Sequence, residues 1–474
     1  MTREIKKVAI CGAGAMGLGI AQVAAQAGML VVVYDVSSVA LSSGRARIEA
    51  ELATLISKSK IEQAHAEKLT TAISWSSEIY EIADTDLVIE AVVEDLAVKK
   101  SLFKTIEEAV SATTIIATNT SSLPIARLAR DLKNPGRFIG MHFFNPPTAM
   151  RLIEVVPGPA TETSVTADIE YLSASWGKSP VRVADVPGFI VNRVARPFYA
   201  EAFRAIQEGA ASPQLIDALF RMSAGFRMGP LELTDLIGQD INFAVARSVY
   251  DSYFGVTRFT PQLGQAALVD AGWLGRKSSR GVYDYRDGNS MPDVKTSHSS
   301  QKLSDPVGRP EKVGPSCDAI EIGGVVVRFA RGRTARSEST SANCPVALLD
   351  WFDVERGSAV GFCASDENVA DIAASLITSW GMSAYRFSDR PGGIVLRTLA
   401  QIANAAADAV FEQVSSEVGI DLALKYGANY PFGPFAWADG IGRLALVQVL
   451  VAMAQETGQD MYRPSQYLMR EATE

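Results

Sequence analysis

Short apolar runs alternate with amphipathic stretches over the first third of the chain. Runs typical of strands are KKVAICGAG, MLVVVYD, DLVIEAV, TTIIATNT and RFIGMHFF. Short aliphatic runs separated by helical periods are typical of parallel strands that are joined by crossover helices and buried on both faces. The pattern therefore predicts an α/β Rossmann domain, with a doubly wound parallel sheet, over residues 1–184.

From residue 185 the pattern changes from strands to helices. The segment NRVARPFYAEAFRAIQEGAAS has helical length, and Gly229-Pro230 breaks the pattern before another helix. This predicts an all-α helical domain over 185–285. Residues 286–318 are rich in Ser, Pro, Gly and charge and lack apolar periodicity, which predicts a linker.

The second half of the chain contains a repeat. SWGKSPVRVADVPGFIVNR at 175–193 reappears as SWGMSAYRFSDRPGGIVLR at 379–397, 204 residues later. The same spacing places Gly433-Pro434 on Gly229-Pro230 without a gap. Self-similarity at a fixed spacing is the sign of a duplicated unit, so we predict a degenerate second copy of the helical domain over 385–474.

Residues 319–384 lie between the linker and this second copy. EIGGVVVRFA, PVALLDWF and GSAVGFCA have the pattern of strands, and DENVADIAASLITSW that of a helix. We predict a small degenerate α/β segment here, and it contains no glycine fingerprint.

A glycine motif follows the first predicted strand. Gly12-Ala13-Gly14-Ala15-Met16-Gly17 fits GxGxxG and leads into a helical pattern. Glycines permit the tight turn and the close approach of backbone to a pyrophosphate, and the helix N-terminus attracts its charge. The alternative is a glycine-rich turn that binds no nucleotide.

Asp35 ends the second predicted strand, where a ribose-binding carboxylate is expected. A carboxylate accepts hydrogen bonds from a ribose 2′-hydroxyl but repels a 2′-phosphate. The nine residues after Asp35 include no Arg or Lys to offset this repulsion. The sequence therefore predicts NAD instead of NADP.

One of the three histidines lies in a promising place. His65 falls in a polar helical stretch and His298 in the linker, whereas His142 lies at the carboxyl end of the strand RFIGMHFF. Glu154, in the aliphatic run LIEVV, is costly to bury without a partner. We predict a dyad in which the Glu154 carboxylate fixes the tautomer of His142, the general base. The alternative is a core histidine and a surface glutamate.

Composition excludes several classes of function. The net charge of −8 argues against nucleic acid or an anionic membrane as the main partner. The N-terminal segment has no apolar leader, and the apolar stretch from Ile441 to Met453 is too short to span a bilayer. Four cysteines without CxxC spacing support neither a metal site nor a disulfide framework. We expect a soluble, cytoplasmic protein.

Several motifs together resemble one family. GAGAMG, DLVIEAVVEDLAVKK, TNTSSLPI, HFFNPP, LIEVV, DVPGFIVNRV and GFRMGPLELTDLIGQD are similar to segments of the (S)-3-hydroxyacyl-CoA dehydrogenases. The resemblance extends over essentially the whole chain, and it is strongest to the long bacterial members that act on 3-hydroxybutyryl-CoA or 3-hydroxyadipyl-CoA in phenylacetate breakdown. It implies NAD-dependent oxidation of an acyl-CoA thioester to its 3-oxoacyl form.

The resemblance also implies roles for individual residues. It makes His142 the base and Glu154 its partner, and it places Ser121 and Asn192 on the reacting oxygen or the thioester carbonyl. Ser121 follows an apolar strand, and its alternative role is a helix cap before LPIARLA. Asn192 begins the first long helix, and its alternative role is capping or helix packing.

Further residues are implied around the cofactor and the substrate. The resemblance places Glu94, Lys99 and Asn145 near the nicotinamide half of NAD, although paired lysines such as Lys99 and Lys100 are more often a solvated face. Lys277 matches a basic position near the cofactor. CoA phosphates require cations, and the candidates are Lys58 and Lys60.

The second helical copy lacks the substrate-side polar groups. Asn192 corresponds to Leu396, and Glu232 corresponds to Ala436. We therefore expect a structural copy that pairs with the first within the chain, because shorter family members dimerise through this domain. Apolar replacements expected at packing positions are Leu396, Phe435, Ala436 and Trp437. A homodimer of the whole chain is a further prediction.

Two other functions remain open from the sequence. One is an NAD-dependent dehydrogenase of a free 3-hydroxy acid, and the other is a non-catalytic, crystallin-like NAD-binding protein. The combination of His142, Glu154, Ser121 and Asn192 argues against the second.

Overall fold

The computed structural model describes residues 3–286, 294–297 and 307–472. His298 and about half of the predicted linker 286–318 lie outside these residues. The strands are β1 Lys7–Cys11, β2 Leu30–Tyr34, β3 Ile73–Ser76, β4 Leu87–Glu90, β5 Ile115–Thr118, β6 Phe138–Phe143, β7 Leu152–Pro157, β8 Ser179–Arg182, β9 Ile320–Ile322, β10 Val325–Phe329, β11 Val346–Leu349, β12 Ala359–Ala364 and β13 Ser383–Arg386.

Nineteen α-helices accompany these strands in the described residues. They are α1 Ala15–Gln26, α2 Ser38–Ser57, α3 Gln63–Ala72, α4 Leu96–Ala109, α5 Ile125–Ala129, α6 Thr163–Ser175, α7 Val191–Val194, α8 Arg196–Gln207, α9 Pro213–Met222, α10 Pro230–Ile237, α11 Gln239–Ser252, α12 Leu263–Asp270, α13 Ala335–Ala342, α14 Glu367–Ser379, α15 Val395–Phe411, α16 Glu417–Gly427, α17 Pro434–Ile441, α18 Arg443–Thr457 and α19 Gln466–Glu471.

These elements form two compact units. The sheet unit consists of Met1–Val191 together with Gln413–Ala428, and the helical unit consists of Asn192–Glu412 together with Asn429–Glu474. The units therefore cross the segment boundaries expected from the sequence, since residues 413–428 of the predicted second helical copy belong to the sheet unit.

The sheet unit is built on an eight-stranded sheet with the order β3-β2-β1-β4-β5-β6-β7-β8. The strands from β3 to β6 are parallel, and β7 runs antiparallel to β6. All five predicted apolar runs are strands, so the prediction of a Rossmann-type sheet is confirmed. The chain reverses its strand order around β1, and the carboxyl ends of strands at such a point form a ligand crevice.

One edge of this sheet is covered by a helix distant in sequence. Helix α16 packs against β7 and β8. The Ala184 N–H donates to the Val414 carbonyl at 2.9 Å, and the Ser415 hydroxyl donates to the Arg182 carbonyl at 2.8 Å. A Cβ at Gly427 would lie 2.5 Å from Leu152 Cδ2 and 3.0 Å from Val191 Cγ2, so a larger residue at this position would require these side chains to move.

The helical unit combines the remaining helices with a second sheet. Between 185 and 285 the regular elements are helices, as predicted. The second sheet has five strands in the order β13-β12-β11-β10-β9. The predicted strands correspond to β10, β11 and β12 and the predicted helix to α14, whereas β9, β13 and α13 were not predicted.

Helices α8 and α15 pack together in the helical unit through a buried ionic network. The Arg397 guanidinium contacts the Glu201 carboxylate and binds the Glu208 carboxylate through two hydrogen bonds of 2.7 and 2.9 Å. Glu201 also contacts Arg204 and accepts from the Tyr462 hydroxyl at 3.1 Å. Because carboxylates and guanidinium groups satisfy each other, the charges are tolerated between two apolar helix faces.

The packing positions expected for the predicted second copy are mostly buried. Leu396, Phe435 and Trp437 are 1%, 3% and 3% exposed. The expectation for Ala436 was wrong, because this residue is exposed. Helix α17 buries Phe435, Trp437, Ala438 and Ile441, and position 436 lies on the face opposite to them.

Among the described residues, no individual helix has both the length and the apolar character needed to cross a membrane. The consecutive helices α17 and α18 meet these criteria only as a pair, and they are bent by 93° at the break between them.

Candidate active site

The glycine loop after β1 has the geometry of a nucleotide cradle. Gly12 has a φ of +116°, and a Cβ there would lie 2.7 Å from the Ala91 carbonyl oxygen. A Cβ at Gly17 would lie 1.9 Å from the Gly12 carbonyl oxygen. By contrast, the Cβ position of Gly14 has no heavy atom within 4 Å. The first and third glycines therefore let the loop pack closely, while the second leaves open space beside the N-terminus of α1.

Asp35 lies beside this loop at the end of β2. Its carboxylate accepts the Ala13 N–H at 2.8 Å and the Ser37 N–H at 2.9 Å. The two bonds use different oxygens, so each oxygen keeps a lone pair for another donor. An oriented, half-exposed carboxylate next to the open loop fits a ribose, and the residues present are suited to a dinucleotide.

His142 and Glu154 form a buried pair on neighbouring antiparallel strands. They are directly opposite each other in the register of β6 and β7. The distance from His142 Nδ1 to Glu154 Oε2 is 2.7 Å, and the residues are 6% and 0% exposed. The alternative of a surface glutamate was therefore wrong. A carboxylate on Nδ1 favours a proton there, which leaves Nε2 able to accept another.

The second oxygen of Glu154 is held by backbone groups. Oε1 accepts the N–H groups of Ile190 and Val191 at 2.9 and 3.0 Å. The rings of Phe144 and Phe189 lie 4.5 and 5.8 Å from the imidazole, measured between centroids. Three directed hydrogen bonds and two aromatic neighbours fix the orientation of the imidazole.

Glu94 organises the loop that carries Ser121. One oxygen of Glu94 accepts the N–H groups of Ser121 and Ser122 at 3.0 and 3.1 Å and the hydroxyl of Thr120 at 2.6 Å. Burial alone would raise the pKa of the Glu94 carboxyl, but the Lys99 ammonium and the nearby hydroxyl groups outweigh burial and lower it. The loop thus surrounds a carboxylate that stays ionised.

Ser121 is not the cap of helix α5. The N–H groups of Ile125 and Ala126 instead donate to Asp185 at 2.9 and 2.8 Å. The capping alternative for Ser121 was therefore wrong, and its half-buried hydroxyl is not used by that helix.

Lys99 is buried, so its alternative as part of a solvated face was wrong. Its ammonium lies 2.5 Å from Glu90 Oε1 and 3.1 Å from Glu94 Oε2, and its side chain is 1% exposed. Glu90 also accepts the Thr118 hydroxyl at 2.7 Å. Lys100, by contrast, pairs with Asp131 at the surface.

Three groups missing from the sequence-based interpretation support the site. Glu90 could have been found, because a carboxylate in the apolar run DLVIEAV needs a partner just as Glu154 does. Asn119 Oδ1 accepts the Phe143 N–H at 2.8 Å and so ties the end of β5 to β6. The Lys178 ammonium binds the carbonyls of Pro147 and Met150 in the segment after β6.

The remaining predicted residues lie in varied surroundings. Asn145 is exposed two residues after the end of β6, and Lys58 and Lys60 are exposed just after the end of α2. Asn192 lies in the short helix α7, where its half-buried side-chain amide makes no hydrogen bond to the described residues. The Lys277 ammonium pairs with Asp240 at 2.6 Å in the helical unit.

Family models match both parts of the chain. The model described as 3-hydroxyacyl-CoA dehydrogenase, NAD binding domain, matches residues 7–186. The model described as 3-hydroxyacyl-CoA dehydrogenase, C-terminal domain, matches residues 188–285 and 392–473.

Individual relatives agree with these matches. The chain is 40% identical over 473 residues to a 3-hydroxyadipyl-CoA dehydrogenase of Escherichia coli K12, with 100% of this chain and 98% of that protein covered. It is 41% identical over 287 residues to a probable 3-hydroxybutyryl-CoA dehydrogenase of Bacillus subtilis, which covers 60% of this chain and 100% of that protein.

A solved structure has the same fold over nearly its whole length. The crystal structure of 3-hydroxybutyryl-CoA dehydrogenase from Escherichia coli K12 superposes with a TM-score of 0.93 at 39% identity, and 99% of each chain is covered. Together with the glycine loop, Asp35 and the buried His142–Glu154 pair, these similarities show that the chain is an NAD-dependent oxidoreductase that belongs to the 3-hydroxyacyl-CoA dehydrogenase family.

Proposed function

We propose that this protein oxidises an (S)-3-hydroxyacyl-CoA to the 3-oxoacyl-CoA, with His142 as the general base. The observation that carries the proposal is the 2.7 Å contact between His142 Nδ1 and Glu154. It orients a histidine at the carboxyl end of β6 with Nε2 available for the substrate hydroxyl proton. The substrate is 3-hydroxybutyryl-CoA or 3-hydroxyadipyl-CoA, the compounds in the relatives' names.

Each remaining residue receives a role by its position. Glu154 holds the ring of His142 and balances the positive charge that it gains. The hydroxyl of Ser121 and the amide of Asn192 donate to the reacting oxygen or to the thioester carbonyl. Glu94 and Lys99 fix the loop of Ser121, so they act near the nicotinamide by holding that loop.

The cofactor is held by the first residues of the chain. Gly12, Gly14 and Gly17 provide the close turn and the open backbone, with Ala13, Ala15 and Met16 between them, and Asp35 receives the ribose. When bound, NAD supplies the acceptor for the hydride that leaves carbon 3 of the substrate. Asn145 and Lys277 are proposed cofactor contacts, and Lys58 and Lys60 are proposed partners of the CoA phosphates.

The test is a panel of thioesters assayed in the reducing direction. We expect NADH oxidation with acetoacetyl-CoA, 3-oxohexanoyl-CoA or 3-oxoadipyl-CoA, and none with free acetoacetate. Turnover of the free acid instead would favour the alternative dehydrogenase. NADH binding without turnover of any of these compounds would favour a non-catalytic protein.

NADP should be a much poorer cofactor than NAD. Asp35 presents a carboxylate where NADP carries a phosphate, and loss of a hydrogen bond to a charged group costs about 1.5–3 kcal/mol before repulsion is added. The ratio of kcat/KM values for the two cofactors measures the effect. Asp35→Ala combined with Val36→Arg should bring this ratio closer to one. Equal kcat/KM values for both cofactors in the unmodified protein would contradict the role of Asp35.

We also propose that the C-terminal half of the chain contains a degenerate second copy of the first half. The proposed parts of the chain are the Rossmann domain 1–184, the helical domain 185–285, the linker 286–318, the small α/β segment 319–384 and the second helical copy 385–474. The repeat spacing extends into the small sheet. Helix α14 begins and ends 204 residues after α6, and strand β13 begins and ends 204 residues after β8. The segment 319–384 is then the last half of a Rossmann sheet without its nucleotide-binding strands.

Hydrogen bonds in the two halves support this origin. Asp185 receives two N–H groups at the start of α5, and Asp389 receives the N–H groups of Ala335 and Arg336 at the start of α13. The bond from Ala184 to Val414 in the sheet unit has its equivalent in the helical unit, where the Ser388 N–H donates to the Ala210 carbonyl at 2.8 Å. A helix from each half therefore packs against the sheet of the other half: α16 packs against β7 and β8, and α9 packs against β12.

The second copy has no dyad. In the strand register Asp350 takes the place of His142, and Gly361 takes the place of Glu154. Asp350 is used instead to accept the N–H groups of Ile394, Val395 and Leu396 at the start of α15. The copy is non-catalytic, and its helices pair with the first copy within the chain. A homodimer of the whole chain and a cytoplasmic location stay predictions.

A further inference from the structure

Arg196 is an unusual buried arginine. The buried arginines of the described residues are Arg137, Arg193, Arg196 and Arg397, and each of the others has a carboxylate within 4 Å. Arg196 is 7% exposed, and its one hydrogen bond is to the Asn242 carbonyl at 3.4 Å. Burial lowers the pKa of Arg196, with the tyrosines 199 and 430 as its electrostatic neighbours and no carboxylate among them.

Two further buried donors lie in the same part of the helical unit. Tyr430 and Trp437 are each 3% exposed, and their rings are 5.8 Å apart between centroids. Within the described residues, no hydrogen-bond partner is present for the Tyr430 hydroxyl, the Trp437 indole nitrogen or Nε of Arg196. Arg196 is also an electrostatic neighbour of the Tyr430 hydroxyl.

Apolar rings surround these donors. Phe226 lies 5.1 Å from Tyr430 and 5.5 Å from Trp437, and Phe198 lies 5.4 Å from Tyr430, between ring centroids. Unsatisfied donors in an apolar setting are costly, and together they favour one kind of ligand, an anionic hydrogen-bond acceptor. A guanidinium, a phenol and an indole are suited to a carboxylate.

The position of Arg196 relates this cluster to the reaction. It follows Asn192 by four residues, so the two residues lie about one helical turn, or roughly 6 Å, apart along the chain of α7 and α8. Asn192 is the residue proposed to bind the reacting oxygen. In a six-carbon acyl chain that ends in a carboxylate, this carboxylate lies three bonds beyond the reacting carbon, a separation of the same order.

We propose that Arg196, Tyr430 and Trp437 bind the carboxylate at the far end of the acyl chain, so that the enzyme selects dicarboxylic acyl-CoA thioesters over monocarboxylic ones. This inference rests on the proposed function and assigns its substrate class. Two of the three donors come from the second helical copy, which thereby contributes to specificity without a dyad of its own.

The experiment compares two thioesters of equal chain length, 3-oxoadipyl-CoA and 3-oxohexanoyl-CoA, which differ by the terminal carboxylate. We expect kcat/KM of the unmodified protein to be at least tenfold higher for 3-oxoadipyl-CoA. In Arg196→Met this ratio should fall at least tenfold, because charge-assisted hydrogen bonds are lost. Arg196→Lys should restore part of it, and Tyr430→Phe should lower it several-fold while keeping the ring.

Arg247→Met is the matched control, because it removes a positive charge from the exposed surface of the same unit, where Arg247 pairs with Asp251. Its ratio should equal that of the unmodified protein. A ratio near one in the unmodified protein, or an equal loss for both thioesters in Arg196→Met and Tyr430→Phe, would overturn the inference. The proposed function fails separately, if no 3-oxoacyl-CoA is reduced at all.

Discussion

His142→Gln should fold and bind NADH but reduce thioesters at least about a hundredfold more slowly. General acid–base participation contributes on the order of 10² to 10⁴ in rate, and glutamine keeps the approximate size of the side chain without a titratable ring. The measurement is kcat with acetoacetyl-CoA, accompanied by NADH titration through protein fluorescence. Near-normal turnover in this variant would contradict the mechanism.

Glu154→Gln is the companion variant for this prediction. It keeps an acceptor for the imidazole and for the two backbone N–H groups but removes the negative charge behind the ring. We expect a loss no larger than that of His142→Gln, together with a displaced pH–rate profile. If the profile stayed in place, Glu154 would be a packing residue and not the partner of the base.

The largest effect on stability is expected for Arg397→Met. This change leaves Glu201, which is 2% exposed, with Arg204 and Tyr462 but without the guanidinium between α8 and α15. Breaking a buried ion pair by removing one partner costs about 3–5 kcal/mol of stability. Because Glu201 keeps two partners, we expect a loss at the lower end of this range, about 3 kcal/mol. Thermal unfolding followed by circular dichroism measures the loss.

The loss should also depend on pH. Burial would raise the pKa of Glu201, but Arg204 and Arg397 outweigh it and lower the pKa below the ordinary value of 4.5. The stabilisation by the network is therefore complete above about pH 4.5 and is lost as pH falls through the folded-state pKa. Arg386→Met is the control, since its pair with Glu367 is at the surface and should contribute less than about 1 kcal/mol. Equal effects of the two substitutions would show that the network is not stabilising.

Local patterns predicted the elements of the fold better than their placement. Apolar runs identified the strands around β1, and the repeat located a second set of helices. The same patterns could not place α16 on β7 and β8, because an amphipathic helix shows that a face is buried but not what covers it. The exposed Ala436 illustrates the same limit within one helix.

The site was predictable where a charge conflicted with its surroundings. Glu154 was found because a carboxylate in an aliphatic strand needs a partner, and Glu90 could have been found in the same way. Arg196 could not have been found from the sequence, because a basic residue in an amphipathic helix has the pattern of a solvated position. Its burial depends on residues more than 200 positions away, such as Tyr430, and these come close only in the folded chain.

The placement of α16 has a consequence for synthesis of the protein. Strand β8 ends at Arg182, whereas α16 begins at Glu417, so the ribosome must add more than 200 residues before this helix exists. At about 5–20 residues per second this takes roughly 10 to 50 seconds. During that interval the surface of β7 and β8 that α16 covers in the folded chain is exposed to other chains. We therefore expect nascent chains to associate with one another more readily before α16 has been synthesised than after it.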